Sequence, residues 1–151
     1  MPTTLKPGDK APAFSGHASD GATISLKDFK GKMNLVLYFY PMDNSPGCTR
    51  EARAFRDASD RFAALDTAIV GVSTQSIDSH KRFVANNELP FPLVSDRGTD
   101  ISQAYGVLKE NGKTAERATF LIDKKGKIRK VWQKVSITGH TEEIIEAIEA
   151  P

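Results

Sequence analysis

The chain has one cysteine, Cys48, and it stands in the segment Pro41-Met42-Asp43-Asn44-Ser45-Pro46-Gly47-Cys48-Thr49. A thiol reacts as its thiolate, and a helix N-terminus is one of the places where a thiolate is stabilised. A long apolar run, Leu35 to Tyr40, leads into this segment, and an amphipathic helical pattern leads out of it. The cysteine is therefore expected where a strand ends and a helix begins. Ser45 can cap that helix, and Pro46 suits its first position, where a missing N–H is harmless. Cys48 then falls in the first turn, where its amide and that of Gly47 have no intrahelical acceptor. Gly47 lets the backbone approach a ligand closely. Such a nest of donors fits a small oxyanion or a peroxide oxygen.

The elements around this segment follow from periodicity and turn residues. Ala11 to Phe14 and Ala22 to Ser25, separated by Ser19-Asp20-Gly21, predict an N-terminal hairpin, and Leu26 to Gly31 a short helical turn. Asn34 to Tyr40 is apolar throughout and predicts a central strand. A helix is predicted from about Ser45 to Leu65, with Ala52, Phe55, Phe62 and Leu65 on its apolar face. Next come a strand at 67–72, a helix at 77–87 capped by Ser76 or Asp78, an extended piece at 90–94 and a helical turn at 100–105. Strands at 118–122 and 127–135 form a hairpin around Asp123-Lys124-Lys125-Gly126, and a helix at 141–150 carries Ile144, Ile145 and Ile148 on one face. Strand-helix-strand-helix, then hairpin and helix, is the order of an α/β chain of thioredoxin-like arrangement. It predicts a mixed sheet flanked by helices, with an N-terminal hairpin extension.

Composition sets the outer bounds. At 151 residues, 39% hydrophobic and 26% charged, the chain reads as one soluble domain over 1–151. The net charge of +2 comes from scattered lysines and arginines, so no nucleic-acid footprint is expected. The basic stretch Lys124 to Lys130 reads as a hairpin tip and solvated strand face. The first residues lack an apolar core of the signal-peptide kind, and no run is long enough to span a membrane. One cysteine cannot form an internal disulfide, which fits a reducing compartment, the cytoplasm by default. His17, His80 and His140 are far apart without ligand spacing, and no cofactor motif for metal, haem, flavin or nucleotide is present.

The pattern Pro41-xxx-Ser45-xx-Cys48 resembles the Pro-xxx-Thr/Ser-xx-Cys signature of peroxiredoxins. The longer string Tyr38 to Ala52, followed by Phe55-Arg56-Asp57, resembles the bacterioferritin comigratory protein subfamily, also called peroxiredoxin Q. The resemblance continues through Val70 to Ser73, Phe91 to Asp96, Arg117 to Asp123 and Gly139-His140. It implies a thioredoxin-like fold and a thiol peroxidase acting on hydrogen peroxide and organic hydroperoxides without a cofactor. Cys48 would be the peroxidatic nucleophile, passing through a sulfenic acid. Arg117 would hold the thiolate and polarise the peroxide, Ser45 would hydrogen-bond it, and Pro41 would shield the sulfur. Glu51 would orient Arg117, and Gly47 would complete the substrate site. Monomers and homodimers both occur among similar proteins.

One departure from the family pattern matters. Many members carry a second, resolving cysteine five residues after the first or in the following helix. Here those positions hold Arg53 and the segment Arg82 to Ala85. The oxidised Cys48 must then be recycled from outside, by thioredoxin, glutaredoxin, a small thiol or a second subunit, and no melting of 48–56 is needed to close an internal disulfide. A redox sensor passing oxidation to client proteins by mixed disulfides is the competing reading. The simpler readings of the other residues also stay open: Ser45 as cap only, Glu51 as a first-turn acid, Pro41 as strand terminator. Arg50, Arg53 and Arg56 read as a solvated helix face, Tyr40 as core or rim, and His140 as a cap-region residue of the last helix.

Overall fold

A computed structural model describes residues 3–150. Seven strands form one mixed sheet in the order β2-β1-β5-β4-β3-β6-β7. They are β1 Ser15–Ala18, β2 Thr23–Ser25, β3 Asn34–Phe39, β4 Thr67–Ser73, β5 Leu93–Ser95, β6 Ala118–Ile122 and β7 Ile128–Trp132. The helices are α1 Pro46–Ala64, α2 Ile77–Asn87, α3 Asp100–Ala104 and α4 His140–Glu149. β3 runs parallel to β4 and β4 to β5, through the α1 and α2 crossovers, while β6 returns antiparallel beside β3. The thioredoxin-like order expected from the sequence is thus the order found, and β3 is central, as its unbroken apolar run requires.

The pleat of β3 divides the core. Leu35, Leu37 and Phe39 face one layer with Phe14, Ile101, Tyr105 and Phe120. Val36, Tyr38 and Tyr40 face the other, where Phe55 and Phe62 of α1, Phe83 of α2 and Ile144 and Ile145 of α4 close over them. Helices therefore lie on both faces, α1, α2 and α4 on one side and α3 on the other. Phe55 is fully buried and stacks on Tyr38 with ring centroids 4.5 Å apart, which fixes α1 over the end of β3. Burying a side chain of that size contributes about 2 to 3 kcal/mol.

The N-terminal hairpin is present but its first strand is Ser15–Ala18, not 11–14. Pro12 has no N–H for a ladder, and the flanking groups are engaged elsewhere. The Ala11 amide donates to the Gly126 carbonyl, and the Tyr105 hydroxyl donates to that of Pro12. Residues 11–14 are thereby fastened to the tip of the β6–β7 hairpin and to the core. β1 itself lies tight against β5, and a Cβ on Gly16 would stand 2.6 Å from Val94 Cγ1, closer than packing allows.

Candidate active site

The site lies where β3 ends and α1 begins. The chain leaves β3 through Tyr40 and Pro41, turns through Asn44 in the left-handed region (φ 66°), and enters α1 with Ser45 as N-cap. The Ser45 side chain accepts from the Cys48 amide at 3.3 Å, and Pro46 occupies the first helical position, as the sequence requires. Cys48 sits in the first turn and is only 1% exposed, so its sulfur is held at the helix N-terminus out of bulk water.

Arg117 reaches this sulfur from across the sheet. It immediately precedes β6, whose pairing with β3 places Ala118 opposite Phe39, at the same end as the β3–α1 turn. Arg117 Nη2 donates to Cys48 Sγ at 3.3 Å, and Nη1 donates to Glu51 Oε1 at 2.7 Å. Glu51 lies one helical turn after Cys48 with a buried side chain, and its second oxygen, Oε2, has no partner among the described residues. Burial pushes the Glu51 carboxyl up to about 7, although the charge and hydrogen bond of Arg117 pull against it. Burial works against the Arg117 charge too, but Glu51 and Cys48 more than offset it and keep the guanidinium above its ordinary value. The arginine is thus a fixed cation with one prong on the sulfur and one on an acid.

Gly47 leaves the space that this arrangement needs. A Cβ there would stand 3.2 Å from Arg117 Nη2 and 3.6 Å from Ile137 Cδ1. Pro41 is half-buried at the end of β3. The Tyr38 hydroxyl is buried without a hydrogen-bond partner among the described residues, and its pKa is driven well above the usual phenol range. Burial is the main cause, followed by the charges of Glu51 and Cys48.

Of the residues singled out in the sequence, Cys48, Ser45, Gly47, Glu51 and Arg117 converge at this one point. Arg53 and Arg56 do not join them. Arg53 Nε donates to Asn87 Oδ1 and Arg56 Nη1 to the Asn87 carbonyl, both at 2.9 Å, so they tie α1 to the end of α2. That is a structural role, though a tie between helices and not merely a solvated face. His140 is the first residue of α4, as expected near the cap, but the cap itself is Gly139. The His140 ring is buried, bonded to Thr119 Oγ1 at 2.9 Å and set edge-on to Trp132.

Sequence reasoning missed a second polar cluster beside the site. Asp43, in the turn between β3 and α1, is buried against His80 and Ser79 of α2 and against Tyr40. The only sequence signal was a lone aspartate between a strand and a capped helix, and nothing local links it to a histidine 37 positions away.

Comparison with known proteins bears on this arrangement. Residues 7–131 match the family described as AhpC/TSA. The chain is 44% identical over 151 residues to the peroxiredoxin Bcp of Bacillus subtilis, with 96% of each chain covered. Among solved structures, a cysteine-to-serine mutant of Xylella fastidiosa PrxQ superposes with a TM-score of 0.90 at 32% identity, covering 97% of both chains. The Xanthomonas campestris bacterioferritin comigratory protein, studied for its alkyl peroxide reduction activity, superposes with a TM-score of 0.85 at 33% identity over 97% of both. With a single cysteine at a strand-to-helix turn under an arginine, the chain belongs to the AhpC/TSA family, in its Bcp/peroxiredoxin Q group of thiol peroxidases.

Proposed function

We propose that the chain reduces hydrogen peroxide and organic hydroperoxides through Cys48, with Arg117, Ser45, Gly47, Glu51 and Pro41 as the working site. The observation that carries this reading is the 3.3 Å contact from Arg117 Nη2 to Cys48 Sγ at the first turn of α1. The Cys48 thiolate attacks one peroxide oxygen. An S–O bond forms, the O–O bond breaks, and its electron pair leaves on the distal oxygen, which takes a proton to become water or an alcohol. Charge thus moves from sulfur to oxygen, and fixed donors aimed at both atoms stabilise that movement. Arg117 supplies charged donors, the Gly47 amide in the first turn supplies a neutral one, and the Ser45 hydroxyl, which accepts from the Cys48 amide, keeps its own proton to donate to the peroxide. Glu51 holds the guanidinium, Gly47 leaves it room, and Pro41 limits water at the sulfur. The alkyl peroxide reduction described for the Xanthomonas campestris protein supports the substrate class.

The product on the enzyme is a sulfenic acid. With no second cysteine in the chain, an external thiol must attack that sulfur, release water and form a mixed disulfide, which a second thiol then reduces. Thioredoxin, glutaredoxin and small thiols are the reductant classes proposed. One domain over 1–151 is part of the proposal, supported by a single sheet that carries both core layers. The cytoplasm is proposed from the lone, unbridged thiol. No described helix is long and apolar enough to cross a membrane.

Stopped-flow mixing of the reduced protein with peroxide, with Cys48→Ser as control, tests the reading. Oxidation far faster than that of free cysteine is expected; a rate no faster overturns it. A panel of reductants in steady state then identifies the recycling thiol. Failure of all of them to sustain turnover would favour the redox-sensor reading.

A further inference from the structure

Asp43 and His80 form a buried pair whose side chains are 0% exposed. His80 Nε2 lies 3.1 Å from the Val94 carbonyl oxygen, which can only accept, so this nitrogen carries a proton. His80 Nδ1 lies 2.7 Å from Asp43 Oδ2. The same carboxyl accepts from the Tyr40 hydroxyl at Oδ1 and from the Ser79 hydroxyl at Oδ2, both at 2.7 Å. Two hydroxyl donors on one carboxyl favour its ionised form. Burial works against that charge, yet the hydrogen bond and charge of His80, with the Tyr40 and Ser79 hydroxyls, hold the Asp43 pKa below its ordinary value. Nδ1 also lies 3.4 Å from the Tyr40 hydroxyl oxygen, so this nitrogen faces two oxygens and Nε2 faces a third.

This pair grips the turn that carries the cysteine motif. Asp43 is followed by Asn44 in a left-handed conformation and then by Ser45, the cap that meets Cys48. A non-glycine residue at positive φ persists where its neighbours fix it, and here they do so on both sides. The turn is thereby fastened to β3 through Tyr40, to α2 through Ser79 and His80, and to β5 through Val94.

We infer that His80 is a positioning residue of the peroxide reaction: as a buried imidazolium it holds the Asp43 carboxylate and, through it, the 41–45 turn that sets Ser45 against Cys48. The inference rests on the reading of Cys48 as the peroxidatic nucleophile. Two isosteric substitutions separate the two contacts of the ring. His80→Asn keeps an N–H donor where Nδ1 stands, toward Asp43; His80→Gln keeps one where Nε2 stands, toward Val94, and leaves the carboxylate unmet.

The test measures the rate constant for oxidation of Cys48 by hydrogen peroxide in both variants, in Asp43→Asn, and in the double variant Asp43→Asn/His80→Gln. The expected result is a loss of tenfold or more in His80→Gln and in Asp43→Asn, no further loss in the double variant, and rescue to within about threefold of wild type in His80→Asn. Nitrogen-15 NMR of the wild-type ring at pH 7 is expected to show protons on both nitrogens, which needs no variant to fold. A folded His80→Gln protein that reacts at the wild-type rate, or a ring with bare Nδ1, overturns the inference. Slow oxidation of the wild type itself would instead overturn the peroxidase reading, and the positioning role with it.

Discussion

Cys48 and Glu51 lie one turn apart on α1 and share a single guanidinium, Arg117, which is 3.3 Å from the sulfur and 2.7 Å from the carboxylate. The spacing is what an α-helix requires for two side chains to face the same neighbour. The sharing has an electrostatic consequence. A cation held only by a thiolate would lose its partner when the sulfur passes its charge to oxygen. Glu51 keeps Arg117 in place through that step, so the same donors serve the thiolate before the reaction and the leaving oxygen during it.

Replacing Glu51 by Gln leaves an oxygen for Arg117 Nη1 but removes the charge that Glu51 carries above its pKa of about 7, so the comparison is made on the alkaline side of that value. A hydrogen bond to a charged group contributes about 1.5 to 3 kcal/mol, so a fall of roughly tenfold to a hundredfold in the rate of Cys48 oxidation is expected. Arg117→Lys should cost at least as much, because an ammonium cannot serve two partners in one plane. Stopped-flow fluorescence with hydrogen peroxide measures both. An unchanged rate in Glu51→Gln would reduce the acid to a first-turn residue on the helix dipole.

Two buried groups make stability depend on pH with opposite signs. Burial pushes Glu51 up to about 7 from an ordinary 4.5, so between these values the folded chain holds a proton that the unfolded chain has lost, and stability falls as pH rises. Burial pushes His140 down to about 4 from 6.5, so in that window the unfolded chain binds the extra proton and stability rises with pH. Each slope integrates to about 3 kcal/mol. From pH 4.5 to 6.5 they oppose each other and nearly cancel. Relative to wild type, Glu51→Gln should therefore gain stability with rising pH across this range, and His140→Gln should lose it. Urea unfolding at fixed ionic strength reads both difference profiles, and a flat profile for Glu51→Gln would mean an ordinary carboxylate.

The expected fold and most of the site were legible because they rest on local signals. The apolar run of β3, the Ser45-Pro46 helix start and the face shared by Cys48 and Glu51 are each written within a few residues. What was not legible depends on chain segments that meet only in three dimensions. Residues 11–14 have strand-like composition, yet Pro12 and the bond from Ala11 to Gly126 place them outside the sheet. His80 and His140 looked unremarkable because their partners, Asp43 and Thr119, are distant in sequence. Arg53 and Arg56 showed no sign of sharing Asn87.

Gly47 offers a test of the arginine's position that leaves the ionisable groups untouched. A methyl group there would lie 3.2 Å from Arg117 Nη2, a terminal atom able to move. Gly47→Ala should thus fold normally, with stability unchanged or raised by a few tenths of a kcal/mol, since alanine favours helix. The displaced guanidinium should nevertheless slow Cys48 oxidation by about tenfold, in line with the loss of one charge-assisted hydrogen bond. Paired measurements of thermal unfolding and peroxide kinetics separate the two effects. Loss of stability in step with loss of rate would point to a packing defect.

The arginine at position 53 sets the last expectation. A cysteine there would lie about 7.5 Å along the helix from Cys48, beyond disulfide reach unless α1 unwinds. Here Arg53 is bonded to Asn87 and Arg56 to its carbonyl, so this stretch is fastened to α2 and has no disulfide to close. Amides from Thr49 to Arg56 should therefore keep their hydrogen-exchange protection when Cys48 is converted to the sulfenic acid. Comparison of the reduced and peroxide-treated protein by exchange mass spectrometry checks this. Melting of the 48–56 segment on oxidation would show that α1 opens without any internal disulfide to form, and that the ties to Asn87 do not hold it.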